Sequence, residues 1–231
     1  MTDILVFGAH PDDAEFGMGA SILKFIDQGK SICICVLSRG QSGSHGSTEE
    51  RVQEMREAAT TMQVSLEVLD LVDCRIFDTY ENRLSLARII RKHKPQVVFA
   101  PYHTNSGYHR DGAAHPDHTA TGVLARNAAR YARLAGISEL DGEPWSANHI
   151  IYYIVPQYMR PNFMIDVSDF MQAWERIAEC YQSQTQLREG QMIAHLRKYR
   201  QAFGLLVGVS HAEGFLIEEP VLFDIGLFLG S

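Results

Sequence analysis

The chain has 231 residues, 45% of them hydrophobic, and 21 Lys and Arg against 28 Asp and Glu, a formal net charge of −7. That balance argues against a nucleic-acid or anionic-membrane surface, which needs a concentrated positive field. No apolar run approaches the roughly 20 residues that span a bilayer. The length, with no Pro/Ser/Gly-rich linker, predicts one domain over residues 1–231.

Ile4 to Phe7 is short, apolar and β-prone and runs into Gly8 and Ala9, as expected of a buried parallel strand feeding a loop at its carboxyl end. No basic and apolar signal-peptide pattern precedes it, so secretion is not expected. A helix follows over Glu15 to Gln28, then a strand over Ser31 to Leu37 and a Gly/Ser-rich loop from Ser38 to Ser47. The next helix opens at Thr48 and carries Glu49, Glu50, Arg51 and Glu54. Strands at Leu66 to Leu69 and Val97 to Ala100 alternate with helices at Arg83 to His93 and Asp117 to Arg133. Ile150 to Val155 reads as another central strand, followed by helices near Ser168 to Cys180 and Leu187 to Arg200 and an edge strand around Phe215 to Ile217. This order predicts a Rossmann-like, three-layer α/β/α fold with a mostly parallel sheet. Cys33 and Cys35 alternate in a strand while Cys74 and Cys180 stand alone, a pattern of reduced thiols in a cytoplasmic protein.

In open α/β sheets ligands bind beyond the carboxyl ends of the strands. Two such loops hold the same kind of cluster, His10-Pro11-Asp12-Asp13 and His115-Pro116-Asp117-His118. A catalytic zinc takes three protein ligands from imidazoles and carboxylates and keeps one position for water, so two histidines and one carboxylate suffice. Each proline biases the preceding histidine toward extended geometry and stiffens the turn. Taken singly, either cluster also reads as a turn with Asp12 or Asp117 capping a helix; two together at strand ends favour a metal site. Spacing leaves open which of Asp12 and Asp13 binds the metal.

The AHPDD motif after the first strand, with HPDH before a later helix, resembles the PIG-L/LmbE-type de-N-acetylases. The likeness extends to GMGAS after AHPDD, Arg51 and Glu54, PNFMID at 161 to 166, QSQ at 182 to 184 and HAEGF at 211 to 215. The resemblance implies removal of acetyl from an N-acetylglucosamine-type sugar conjugate, with zinc or ferrous iron as cofactor. Carried to matching positions, it implies metal on His10, Asp13 and His118, Asp12 as general base and His115 as a protonated stabiliser of the tetrahedral intermediate. Asp117 would orient and charge His115. By the same likeness Arg51 meets substrate; read alone, it is an exposed i, i+3 partner of Glu54. His103, Tyr108, His109, Arg110 and Asp111 lie in a connection longer than the family usually has, which reads as a lid or a substrate-binding loop, with His109 and Arg110 as candidate substrate contacts. Arg51 and Arg110 together point to an anionic aglycone.

Glu213 in HAEGF reads as structural, and His45 as a solvated loop residue. Soluble relatives often assemble, so a homo-oligomer is expected, with the Tyr152, Tyr153 and Tyr158 region as a candidate interface. Two other functions remain open at this point. One is metal-dependent hydrolysis of a nucleoside or phosphoester bond, which oxygen-only ligands would favour. The other is a non-catalytic sugar-binding module.

Overall fold

The computed structural model describes residues 1–106, 115–185 and 190–222. β1 (Ile4–Gly8) is buried along its whole length, as its continuous apolar run requires. It is followed by α1 (Asp13–Asp27), β2 (Ile32–Ser38), α2 (Thr48–Met62), β3 (Ser65–Leu71), α3 (Tyr80–His93), β4 (Val97–Pro101), α4 (Pro116–Ala132) and β5 (His149–Tyr153). The five strands are all parallel, in the order β3-β2-β1-β4-β5. Chain order reverses between β1 and β4, the kind of switch point at which open α/β sheets bind ligands beyond the carboxyl ends of their strands.

Side-chain alternation divides the core between the sheet's faces. Leu5 and Phe7 of β1 pack on one side with Leu86 and Ile90 of α3 and with Leu124 and Ala128 of α4. Ile4 and Val6 face the other way, into Met18 and Ile22 of α1 and Met55 and Met62 of α2. These are the three layers the sequence predicts. α4 lies unusually close to β4: a Cβ on Gly122 would stand 2.2 Å from the Pro101 carbonyl oxygen. That approach seats the first turn of α4 over the strand ends.

The second half of the chain departs from expectation. β6 (Phe163–Asp166) and β7 (Ala212–Phe215) form a separate antiparallel pair. Just beyond β7, Leu216 exchanges two backbone hydrogen bonds with Tyr152 on the edge of the main sheet. The expected edge strand thus begins three residues earlier and pairs mainly within this hairpin. A short 3-10 turn precedes α5 (Met171–Ala178), and α6 (Gln182–Thr185) and α7 (Met192–Val207) follow. α7 ends at Gly208, in the left-handed conformation that closes helices.

Tyr152 and Tyr153 do not offer an interface. Both are core side chains, and the Tyr153 hydroxyl donates to the Phe7 carbonyl at 2.8 Å, leaving only Tyr158 of the three exposed. Replacing Gly122 by alanine drives Cβ into the β4 backbone, which is expected to cost about 1–3 kcal/mol. A urea midpoint equal to wild type for Gly122→Ala would contradict the close packing of α4 on β4.

Candidate metal centre

The loop after β1 is held from within. The amides of Ala9 and His10 donate to Asp13 Oδ2 at 2.7 and 2.9 Å, which leaves Oδ1 facing His118 Nε2 at 3.0 Å. Ser38, at the end of β2, fixes the Ala9 carbonyl with both its amide and its hydroxyl. In the second motif His115 caps α4: its Nδ1 accepts from the Asp117 amide at 3.2 Å, and Pro116 occupies the first turn, where its missing N–H costs nothing. Asp117 and His118 follow on the same turn, both buried.

The fold brings these two motifs together. Ring centroids of His10 and His115 lie 4.7 Å apart, and His118 is 5.4 Å from each. Of the two adjacent aspartates it is Asp13 whose carboxylate joins His10 and His118, with ligand atoms all within 4.8 Å of one another and all three residues buried. His10, His115 and Asp117 also approach within that span.

Sequence reasoning missed Asp73. It stands in the loop after β3, 4% exposed, and its Oδ1 lies 3.1 Å from His10 Nε2. The Ser42 amide holds its other oxygen at 2.8 Å. The available signal was an acidic residue just past a strand's carboxyl end, in LVDC. Asp117, expected to orient His115, instead turns its carboxylate to His10 Nε2 at 3.3 Å and to the Cys74 amide at 2.7 Å. His10 thus carries Asp13 near one ring nitrogen, at 3.8 Å, and two carboxylates at the other.

Asp12 adopts φ 100°, a left-handed conformation that costs a non-glycine residue about 1–3 kcal/mol and persists only where neighbours over-determine it. Arg51 is one of those neighbours. It is buried rather than exposed, and its guanidinium donates to the Pro11 carbonyl at 3.0 Å, to Asp12 Oδ2 at 3.2 Å and to the Gly40 carbonyl at 3.0 Å. A capping box between Ser47 and Glu50 starts the helix that delivers it. Glu54, its expected partner, is engaged by the Ser183 amide and hydroxyl, so the QSQ segment braces α2. His45 is exposed, as expected. His103 bonds Glu218 at 2.9 Å, while Tyr108, His109, Arg110 and Asp111 lie outside the described residues.

The electrostatics follow from this crowding. Burial alone would lower the His10 pKa, yet Asp117, Asp73 and Asp13 raise it to about 10. The hydrogen bond from His10 holds Asp73 well below the carboxylate range, and His118 and His10 do the same for Asp13 against its own burial. Burial pushes Asp12 up, with Arg51 opposing. Burial lowers His115, reinforced by the His10 and His118 rings. A divalent cation fits this set: it would neutralise the converging carboxylates, and His118 keeps Nδ1 buried with no hydrogen-bond partner among the described residues. Asp12, Asp13 and His118 border a cleft of about 270 Å³, walled by Phe16 and Ile154 on one side and by Met192, Leu196 and Phe203 of α7 on the other.

The family model described as GlcNAc-PI de-N-acetylase, PIG-L, matches residues 5–129. Diacetylchitobiose deacetylase of Thermococcus kodakarensis is 27% identical over 239 residues, covering 98% of this chain and 84% of that protein. Among solved structures, a conserved protein from Thermus thermophilus, TT1542, superposes with a TM-score of 0.87 at 34% identity, covering 97% of this chain and 98% of that one. N,N'-diacetylchitobiose deacetylase from Pyrococcus horikoshii gives 0.82 at 28% identity, over 99% and 85% of the respective chains.

With cation removed by a chelator, the raised His10 pKa makes a signed prediction. Charged His10 stabilises the fold fully below about pH 6.5, its unfolded value, and this contribution is lost as pH rises through about 10. The thermal midpoint of the chelated protein is expected to fall across that window, and to fall less in His10→Gln. Parallel curves for the two proteins would contradict the carboxylate cage around His10.

Proposed function

We propose, from the chain's membership of the PIG-L family of de-N-acetylases, that it is a metal-dependent hydrolase removing acetyl from an N-acetylglucosamine-type sugar conjugate. The observation that carries this is the buried convergence of His10, Asp13 and His118, of which Asp13 and His118 border the cleft. Two imidazoles and one carboxylate suit zinc or ferrous iron rather than calcium. When bound, the cation would supply an activated water and polarise the amide carbonyl.

The chain's own residues supply the rest. Asp12 borders the cleft and is the general base, taking a proton at its carboxylate and returning it to the leaving nitrogen. Its raised pKa brings it toward the range where such transfer is efficient. His115 donates to the developing oxyanion. Its Nδ1 lone pair accepts from the Asp117 amide, which puts the hydrogen of the neutral ring on Nε2. A neutral donor of this kind, rather than the charged one the family resemblance implies, accords with the lowered His115 pKa and with an Asp117 carboxylate engaged by His10. Asp73 and Asp117 orient His10 from its far nitrogen, as carboxylates behind metal-bound histidines do. Arg51 positions Asp12 from within the wall.

Residues 1–231 are taken as one domain, supported by the hydrogen bonds that tie the β6–β7 hairpin to the edge of the main sheet. Four free cysteines support a cytoplasmic setting. Among the described residues no helix is long and apolar enough to cross a membrane. Self-association is better supported by the exposed Leu205, Leu206 and Val207 than by the tyrosines.

Metal content and acetate release from N-acetylglucosaminides test the proposal. Asp12→Ala is expected to keep its cation and lose turnover by about 10²–10⁴-fold, and His118→Ala to lose both. A wild-type protein that holds no transition metal and frees no acetate overturns the proposal. Arg51→Met should lower kcat and leave KM within about twofold, as loss of an orienting contact does. A raised KM with unchanged kcat would make Arg51 a substrate contact instead.

A further inference from the structure

Glu213 of the HAEGF segment has no part in the metal cluster, yet it is 2% exposed and reaches across the fold to α1. α1 is broken at Met18, with φ −148° and ψ 20°, about one turn beyond Asp13. In an unbroken helix the Ala20 amide would donate to the Phe16 carbonyl and the Ser21 amide to that of Gly17. Here both amides donate to the Glu213 carboxylate, at 3.3 and 2.7 Å. On the other side of the break the Phe16 carbonyl accepts from Arg200 Nη2 at 2.9 Å, and the Glu15 carbonyl from Trp174 Nε1 at 2.9 Å. Arg200 Nε lies 2.8 Å from Glu213 Oε1, and its guanidinium stacks 3.8 Å above the Trp174 ring. Four backbone groups flanking the break, the Glu15 and Phe16 carbonyls and the Ala20 and Ser21 amides, are therefore satisfied by one buried ion pair and one indole.

A buried ion pair is weak as a source of stability, because desolvation consumes most of its attraction. This pair does something more specific, since each partner also bonds the backbone of α1 on one side of the break. We propose that Arg200 and Glu213 form a clamp inserted into α1 that sets the angle of its first turn, making them positioning residues for Asp13 and Asp12. The first turn starts at Asp13, directly after the left-handed Asp12, whose conformation needs neighbours that hold it. Arg200 comes from α7, which also walls the cleft, so the clamp ties that wall to the metal-binding turn. The clamp rests on the functional proposal, in which Asp13 is a ligand.

The test uses Arg200→Met/Glu213→Gln, which removes both charges and strands neither, beside Glu213→Gln and Glu213→Ala. Circular dichroism and thermal midpoints report folding. Zinc affinity is measured against a chromophoric chelator, and kcat and KM for acetate release at saturating zinc. The folded double variant is expected to bind zinc about 10–100-fold more weakly, with kcat reduced and KM within about twofold. Glu213→Gln keeps an acceptor for the Ser21 amide and should lie nearer wild type than Glu213→Ala. If the double variant or Glu213→Ala folds with a lower midpoint but wild-type zinc affinity and kcat, the pair serves stability alone and the clamp is overturned. A wild-type protein that binds neither zinc nor ferrous iron and frees no acetate defeats the functional proposal and the clamp together. Wild-type binding and turnover with unaffected variants defeat the clamp alone.

Discussion

The constraint on which the rest of the molecule depends is the crowding of carboxylates around one buried imidazole. His10 has Asp13 near its Nδ1 and Asp73 and Asp117 at its Nε2. Carboxylates removed from water repel one another and lose hydration, so such a cluster needs positive charge at its centre. A proton on His10 offsets part of it, and a divalent cation on the side of Asp13 and His118 offsets far more. The neighbouring Asp12 is balanced by Arg51. Metal binding here would therefore be coupled to folding, because the arrangement that would hold a cation is also the one that suffers without it.

The fold is arranged to make that crowding possible. Asp13, Arg51, Asp73 and His118 come from four different segments, each reached across the carboxyl end of the parallel sheet. Hydrogen bonds from backbone amides fix three of the carboxylates: Ala9 and His10 hold Asp13, Ser42 holds Asp73 and Cys74 holds Asp117. Fixed donors of this kind lower the cost of ordering the ligands before a cation arrives. The hairpin and α7, which lie outside the parallel sheet, contribute differently. They wall the cleft and pack against α1 where its backbone ladder opens.

Much of this was legible in the sequence, for physical reasons that also mark its limits. Continuous apolar runs such as Ile4 to Phe7 are legible because a strand buried on both faces has little alternative, and the order of elements then dictates a parallel sheet. The HPDD and HPDH clusters stand out because proline and ligand-type residues are concentrated together. Asp73 was invisible because it is one acidic residue in a loop, and its contact with His10 arises only when β1, β2 and β3 align. Arg51 sits among Glu49, Glu50 and Glu54, and so reads as a solvated helix face although it is buried. The break in α1 leaves no trace in a pattern that tolerates Gly17 and Gly19 within a helix. Tyr152 and Tyr153 read as an interface because periodicity cannot tell which apolar positions of a strand the core will cover.

The most direct measurement is X-ray absorption at the zinc edge of the metal-loaded protein and of its His118→Ala variant. His10, Asp13 and His118 as ligands require scattering from two imidazoles, with nitrogen at about 2.0–2.1 Å, and light oxygen donors completing the shell. His118→Ala, which should not retain its cation on purification, is loaded in excess zinc and should then show one imidazole. A wild-type spectrum with no imidazole signature, or one that His118→Ala leaves unchanged, would contradict the metal centre on which the proposed deacetylase rests.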